Sequence, residues 1–450
     1  MLKLFLWLRY LRKRKIVFLS IAAVALSVSL LIVVASLFTG FIKTFEKAAV
    51  DAVGDVVISP LREFKIAKYP LLIEKLEQTA AVEAATAMLL TEGLLNLGQG
   101  NVRPVQIWGI EPGARDKVTR FKEYLRRQKD LPGAPSFAHP DFPDRLSGFV
   151  GIGVVAEPNE KTDEYEYDAV DAAVGRRVFV TTGTSKETPQ DESAKPQFKK
   201  KTLIFWISDI FETGVYQFDQ GCVYLPIEEL QKGLYPDEEF PVAGQIIIKL
   251  ADPAKTDVAL AVIRGVWEGF VREHLESDRF LLNYTSIETA IEMQRPWIEA
   301  YKNQLAVLLV IFGVVSLSVI VLVFCIFYMI VTTKRKDIAI IKSCGMASWS
   351  VAMVFVGFGA CVGVIGSGIG AVLGHVIAKN INTIEGWIGV IFGLKLWKSS
   401  VYMFSKIPNE VNWPWAFRII TTAILAAAIG ALIPALVAAV TKPVEILRYE

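Results

Sequence analysis

The sequence predicts a membrane protein: four transmembrane α-helices with a large α+β extracytoplasmic domain between helices 1 and 2. Three observations predict it. Four apolar stretches (Ile16–Phe38, Leu305–Val331, Val351–Ile377 and Ile419–Val440) each reach the ~20 residues that a hydrocarbon core of about 30 Å requires. Lysine and arginine cluster on alternate connections between them. The composition is 53% hydrophobic and 21% charged, an excess of apolar residues too small for a chain that lies wholly in the bilayer.

Each span must be helical, because hydrocarbon offers no partner for an open backbone group. The first, with its basic flank, is longer than the apolar region of a cleavable signal, and Thr39-Gly40-Phe41 is a poor cleavage site. It reads as a retained anchor. Orientation follows from the cations beside the spans. Lys3, Arg9, Arg12, Lys13, Arg14 and Lys15 precede the first span, Lys334, Arg335, Lys336 and Lys342 separate the second from the third, and Lys442 and Arg448 follow the fourth. These segments are expected in the cytoplasm, with both termini. The expected order is a basic N-terminus (1–15), a span (16–41), an outer α+β domain with a core and a second lobe (42–301), and a second span (302–331). A cytoplasmic helix (332–347), a third span (348–378), an outer loop (379–416), a fourth span (417–441) and a tail (442–450) follow.

Within the outer domain, Phe41–Val53 continues the first helix. Strands are expected at Asp55–Pro60, Val102–Ile110, Arg177–Thr181, Leu203–Ile207, Val223–Leu225 and Gln245–Leu250, and helices at Leu71–Thr79 and Asp257–Val271. Leu131–Ser147, rich in Pro and Gly, reads as a loop, and Glu157–Asp171 as a solvated acidic loop without the calcium-loop pattern. The polar segment Gly183–Lys201 lies between two strong strands and is expected to project as a hairpin; long polar loops of this kind are mobile surface or docking arms. Its candidate docking residues are Thr184, Pro189, Pro196, Lys199, Lys200 and Lys201.

Net charge is +2, so no global field points to nucleic acid. There is no GxxxxGK[ST], GxSxG or HExxH, and the three histidines are isolated. No catalytic function is expected, no metal and no cofactor bound by this chain. The spans hold no Asp or Glu, which argues against proton- or ion-driven transport. The four cysteines, without a CxxC pair, read as ordinary buried thiols.

Two features of the membrane part carry more. Gly359 and Gly363, then Gly366, Gly370 and Gly374, recur at four-residue spacing and predict a face where another helix approaches closely. Between the second and third spans, Lys334-Arg335-Lys336-Asp337-Ile338-Ala339-Ile340-Ile341-Lys342-Ser343-Cys344-Gly345 reads as a short amphipathic helix stopped by glycine, with Ile338 and Ile341 on one face. It either rests on the lipid surface or inserts into a cytoplasmic motor protein.

This stretch resembles the coupling helix of the MacB/FtsX-like permeases, K-x-x-[DE]-[IV]-A-I-[LI]-x-x-x-G, through Lys334, Asp337, Ile338, Ala339, Ile340, Ile341 and Gly345. Lys336 and Lys342 complete the candidate site. The N-terminal Arg9-Tyr10-Leu11-Arg12 with Gly40-Phe41, the run Phe211–Asp219 with Val223-Tyr224-Leu225-Pro226, and the closing Val401-Tyr402, Ile407-Pro408, Pro434-Ala435 and Pro443–Glu450 resemble the LolC/LolE lipoprotein-releasing permeases. The resemblance covers nearly the whole chain. It implies a non-catalytic permease subunit of an ABC transporter in the bacterial inner membrane. The implied partners are a cytoplasmic LolD-like ATPase that binds ATP and Mg, a second copy or sibling permease, a lipoprotein substrate and a periplasmic LolA-like carrier. In one family branch the carrier docks on a hairpin at the place of Gly183–Lys201. Acyl chains would shelter at the outer ends of the first two spans, Leu31–Phe38 and Leu305–Phe312. The alternatives are a MacB-like exporter subunit and an FtsX-like transmitter to a periplasmic hydrolase.

Overall fold

The first helix, α1 (Lys15–Val53), runs 39 residues without a break. No proline or inward charge interrupts it over its apolar part, so nothing competes with the helical ladder that hydrocarbon demands. The computed structural model describes residues 15–61, 64–98, 100–186, 197–393 and 395–441. The basic N-terminal run, Pro189 and Pro196 of the hairpin, and the 442–450 tail lie outside the described residues.

The chain divides into two units. One comprises the segment up to Lys43, Trp297–Ile384 and the chain from Ile407; the other comprises Thr44–Pro296 and Glu385–Lys406.

The second unit is built on nine strands: β1 (Val56–Pro60), β2 (Val82–Asn96), β3 (Val102–Ile110), β4 (Ser147–Gly151), β5 (Arg177–Lys186), β6 (Gln197–Phe211), β7 (Cys222–Pro226), β8 (Gln245–Leu250) and β9 (Thr285–Thr289). Their order is β9-β1-β8-β2-β3-β7-β4-β6-β5, and β5 also pairs with β2. That last pairing closes β2, β3, β7, β4, β6 and β5 into a six-stranded barrel. The 15-residue β2 serves both parts. Val82–Met88 pairs with β8 in the open antiparallel sheet, while Leu89–Asn96 pairs with β3 in the barrel.

Alternation places Val56, Ile58, Ile246 and Ile248 in one core, covered by α2 (Tyr69–Glu77) and α4 (Thr256–His274), and Val57 and Ile247 in a second core on the other face. On that other face lies α3 (Pro112–Val118), whose Val118 joins the second core and which starts with Pro112 in its first turn, where no N–H is missed.

Both β2 and β4 go beyond the strands expected from the sequence. In β2 the run 84–89 is buried on both faces, so no alternation is visible there, and its Ala-rich start is weakly β-forming. The five residues of β4 include two glycines and begin at Ser147, the last residue of the segment read as loop.

The membrane unit contains α5 (Arg295–Thr333), α6 (Arg335–Ser343), α7 (Ser348–Lys379) and α9 (Trp413–Val440), with α8 (Ile381–Phe392) crossing into the second unit. Part of the outer stretch 379–416 read as a loop is therefore helical. Val17, Ile21, Val24, Val28 and Ile32 make a buried stripe on α1. Phe18, Leu26, Phe417, Leu425 and Ile429 are exposed, a surface that water would penalise and lipid would not. Among the described residues, three helices are long and apolar enough to cross a membrane: Val17–Val53, Ser348–Lys379 and Trp413–Val440. Of α5, the apolar stretch Ile320–Thr333 is shorter than that criterion.

Candidate functional site

α6 follows α5 after a single-residue break at Lys334, whose φ of −106° leaves the helical region. The Ile338 N–H donates to the Lys334 carbonyl at 3.0 Å, which restarts the ladder. Lys334 also pairs with Asp337, whose carboxylate sits in the first turn, where the helix dipole favours it. At the other end the Cys344 and Gly345 N–H groups donate to the Ile340 and Lys342 carbonyls, and Gly345 takes φ +95°, which a side chain would strain.

The faces of α6 differ from the sequence expectation. Ile338 and Ala339 are 3% and 0% exposed, and Ile338 joins Ile330, Val331 and Val351 in the apolar cluster of the membrane unit. Ile340 is 51% exposed, while Ile341 is half-buried. Ile338 is thus an anchor onto its own spans, and the outward apolar residue is Ile340, on a helix whose first turn carries exposed Arg335 and Lys336. Helical spacing alone groups Ile338 with Ile341; only the position of the neighbouring helices decides which side faces out. Lys342 bends inward: its Nζ donates to the Ala439 carbonyl at 2.6 Å and the Thr441 carbonyl at 2.8 Å, satisfying the C-terminal end of α9.

The glycine seam of α7 serves two partners. Methyl groups at Gly363 would lie 3.0 Å from the Ala427 Cβ and the Ile424 Cα on α9. At Gly366, Gly370 and Gly374 they would meet α1, with 2.5 Å from Gly370 to the Ala25 carbonyl oxygen. Gly359 lies against Ala431. The seam therefore packs within this unit, and its upper and lower halves hold different helices. A further close approach, Gly430 of α9 on the Ile320 carbonyl of α5, was not signalled by any glycine repeat. Between α1, α5 and α9 lies a cleft of about 350 Å³, lined by Val28, Leu31, Leu309, Gly313 and Val323. Arg418 stands at this cleft, its guanidinium 4.9 Å from the Trp415 ring.

In the other unit, Phe211–Asp219 forms a turn held by one carboxylate. Asp219, 5% exposed, accepts from the Thr213 N–H (2.7 Å), the Thr213 hydroxyl (2.8 Å) and the Gly214 N–H (2.9 Å). Burial pushes its carboxyl up to about 7, against the pull of those donors. The turn grips the segment before α9: the Tyr216 N–H donates to the Met403 carbonyl and the Ser405 N–H to the Gly214 carbonyl. The end of α1 is fixed in this unit too. Arg115 of α3 donates to the Ala52 carbonyl at 2.7 Å and Tyr124 to Asp51 at 2.8 Å. Sequence reasoning missed Arg115, since a charged residue in Pro-Gly-Ala-Arg-Asp-Lys reads as solvated.

The hairpin ladder runs from Arg177 opposite Trp206 to Lys186 opposite Gln197, with Thr184 opposite Lys199; Lys200 and Lys201 are exposed. Two of the thiols expected to be buried are not: Cys325 and Cys344 are exposed, as a small apolar side chain facing lipid or a helix end can be. Among the described residues, no cluster of three His, Cys, Asp or Glu side chains is placed to hold a metal.

Residues 309–443 match the family model of the FtsX-like permease C-terminal domain, the region that carries α6 and the glycine seam. The lipoprotein-releasing system transmembrane protein LolC of Neisseria meningitidis serogroup B is 26% identical over 464 residues, covering 100% of this chain and 99% of its own. The chain resembles the LolC/LolE permeases along its whole length. LolC of Xylella fastidiosa is 26% identical over 98% of both chains, and LolE of Haemophilus influenzae 24% over 95% of this chain and 93% of its own. Among solved structures, the periplasmic region of MacB from Actinobacillus actinomycetemcomitans aligns over 55% of this chain and 94% of its own, at 12% identity and a TM-score of 0.32. The likeness to LolC and LolE thus takes in both units, including the Asp219 turn and α6.

Proposed function

We propose that this chain is the permease subunit of an ABC transporter that extracts lipoproteins from the inner membrane with ATP hydrolysed by a separate subunit. The full-length similarity to LolC carries this reading. Acyl chains resist leaving a bilayer by about 0.8 kcal/mol per buried CH₂, so a multiply acylated protein needs an external energy source. In this reading α5 is the fourth span, both termini are cytoplasmic, and α6 contacts an ATPase that binds ATP and Mg. The outward Ile340, with exposed Arg335 and Lys336 on the same helix, supports α6 as that contact. A second copy or a sibling permease completes the translocation path. The apolar cleft between α1, α5 and α9 shelters acyl chains in transit, and the β5–β6 hairpin hands cargo to a soluble carrier.

The test is depletion of the protein in its native host, followed by fractionation of the membranes. Outer-membrane lipoproteins are expected to remain in the inner membrane, and an ATPase is expected to copurify. Normal lipoprotein sorting after depletion overturns the reading.

A further inference from the structure

Inside the outer unit, on the side of the sheet away from α2 and α4, lies a cavity of about 310 Å³. Its wall is aromatic: Phe121, Tyr124, Phe211, Phe218, Tyr224 and Phe404. Three cations line it, Arg115, Lys47 and Lys406, against a single carboxylate, Asp51, which already accepts from Tyr124.

Arg115 is the unusual member. It is 2% exposed, and no described carboxylate pairs with it. Its Nη atoms donate to the Ala52 carbonyl and the Met88 sulfur, but the buried Nε has no hydrogen-bond partner. The rings of Trp108, Tyr224 and Phe121 stand 5.3–5.7 Å from its guanidinium carbon. Aromatic faces and one helix-end carbonyl soften the cost of burying this charge but do not neutralise it. Burial accordingly lowers its pKa from the free value. Lys47 and Lys406 are exposed and have no described ion-pair partner, so their ammonium groups are available to a ligand.

We propose that this cavity binds a small organic anion, an acidic head carried on an apolar body, with Lys47 and Lys406 holding the head, Arg115 supplying fixed positive charge, and the aromatic wall packing on the body. Net positive charge selects the head, and the apolar lining, with Tyr124 and Phe218 its partly exposed rings, selects the body. The site is separate from the membrane cleft and from α6, and it does not depend on the cargo being a lipoprotein.

The test is isothermal titration of the full-length protein in detergent with benzoate, phenyl phosphate and the neutral benzamide. At least one of the two anions is expected to bind saturably and about tenfold more tightly than benzamide. Which anion wins identifies the head as carboxylate or phosphate. The double variant Lys47→Ala/Lys406→Ala, whose side chains are exposed, is expected to keep the wild-type melting temperature and to lose that preference. Arg115→Met is expected to abolish anion binding where it folds. Equal binding of benzamide and both anions, no saturable binding, or an unchanged preference in the double variant overturns the proposal.

Discussion

At the scale of single residues, close packing and burial set the strongest constraints. Gly370 has no room for a methyl group, because the Ala25 backbone stands in its way, whereas Gly368 on the same helix faces open space. Gly370→Ala is therefore expected to destabilise the membrane unit by about 1–3 kcal/mol, a typical overpacking cost, and Gly368→Ala to be neutral; melting temperatures of the two variants check this. Asp219 makes a pH prediction. Burial lifts its carboxyl from 3.8 to about 7. Between those values the folded protein keeps a proton that the unfolded chain has released. The Asp219 contribution is thus fully present below pH 3.8 and is lost as the pH rises through 7. Denaturant titrations from pH 4 to 8 are expected to show stability falling across that window, with a flatter profile in Asp219→Asn. An identical slope in both proteins would place the titration elsewhere.

At the scale of elements, α6 separates anchoring from presentation. Ile338→Asp puts a carboxylate into the apolar cluster, where an unpaired charge is costly, and is expected to lower the melting temperature sharply. Ile340→Asp changes only the outward face and is expected to leave the melt unchanged while abolishing copurification of the ATPase. Retained ATPase binding in the Ile340 variant would remove α6 from the contact. The half-buried Ile341 falls between the two. The hairpin and α6 illustrate what was legible. Strand propensity places β3 at Val102–Ile110 and β8 at Gln245–Leu250 from sequence alone, and the glycine stop ends α6 where it was expected. β2 was not legible, because a strand buried on both faces carries no period-two signal.

At the scale of the whole molecule, the notable element is α1, about 58 Å long at 1.5 Å per residue, which starts in the membrane unit and ends in the outer unit. Its last turn is held by Arg115 and Tyr124. An unbroken helix has no soft dihedral through which a displacement at one end could dissipate. Inserting Gly-Ser-Gly-Ser after Ile42 is expected to leave both units folded and the ATPase bound, but to stop ATP-dependent lipoprotein release in reconstituted membranes. Release at the wild-type rate would show that helical continuity is not used.

The sequence by itself determined which stretches are apolar enough to leave water, which connections are basic, and where the chain must turn, because hydropathy, charge and glycine act locally. It also carried the resemblance to LolC and LolE. Only the tertiary structure decided that the glycine seam faces two helices, that Ile340 rather than Ile338 looks outward, and that β5 closes a barrel on β2. The same holds for the gathering of Arg115, Lys47 and Lys406 around one cavity. These depend on which distant surfaces meet, and a side chain's neighbours across 60 or more residues leave no local trace in the chain.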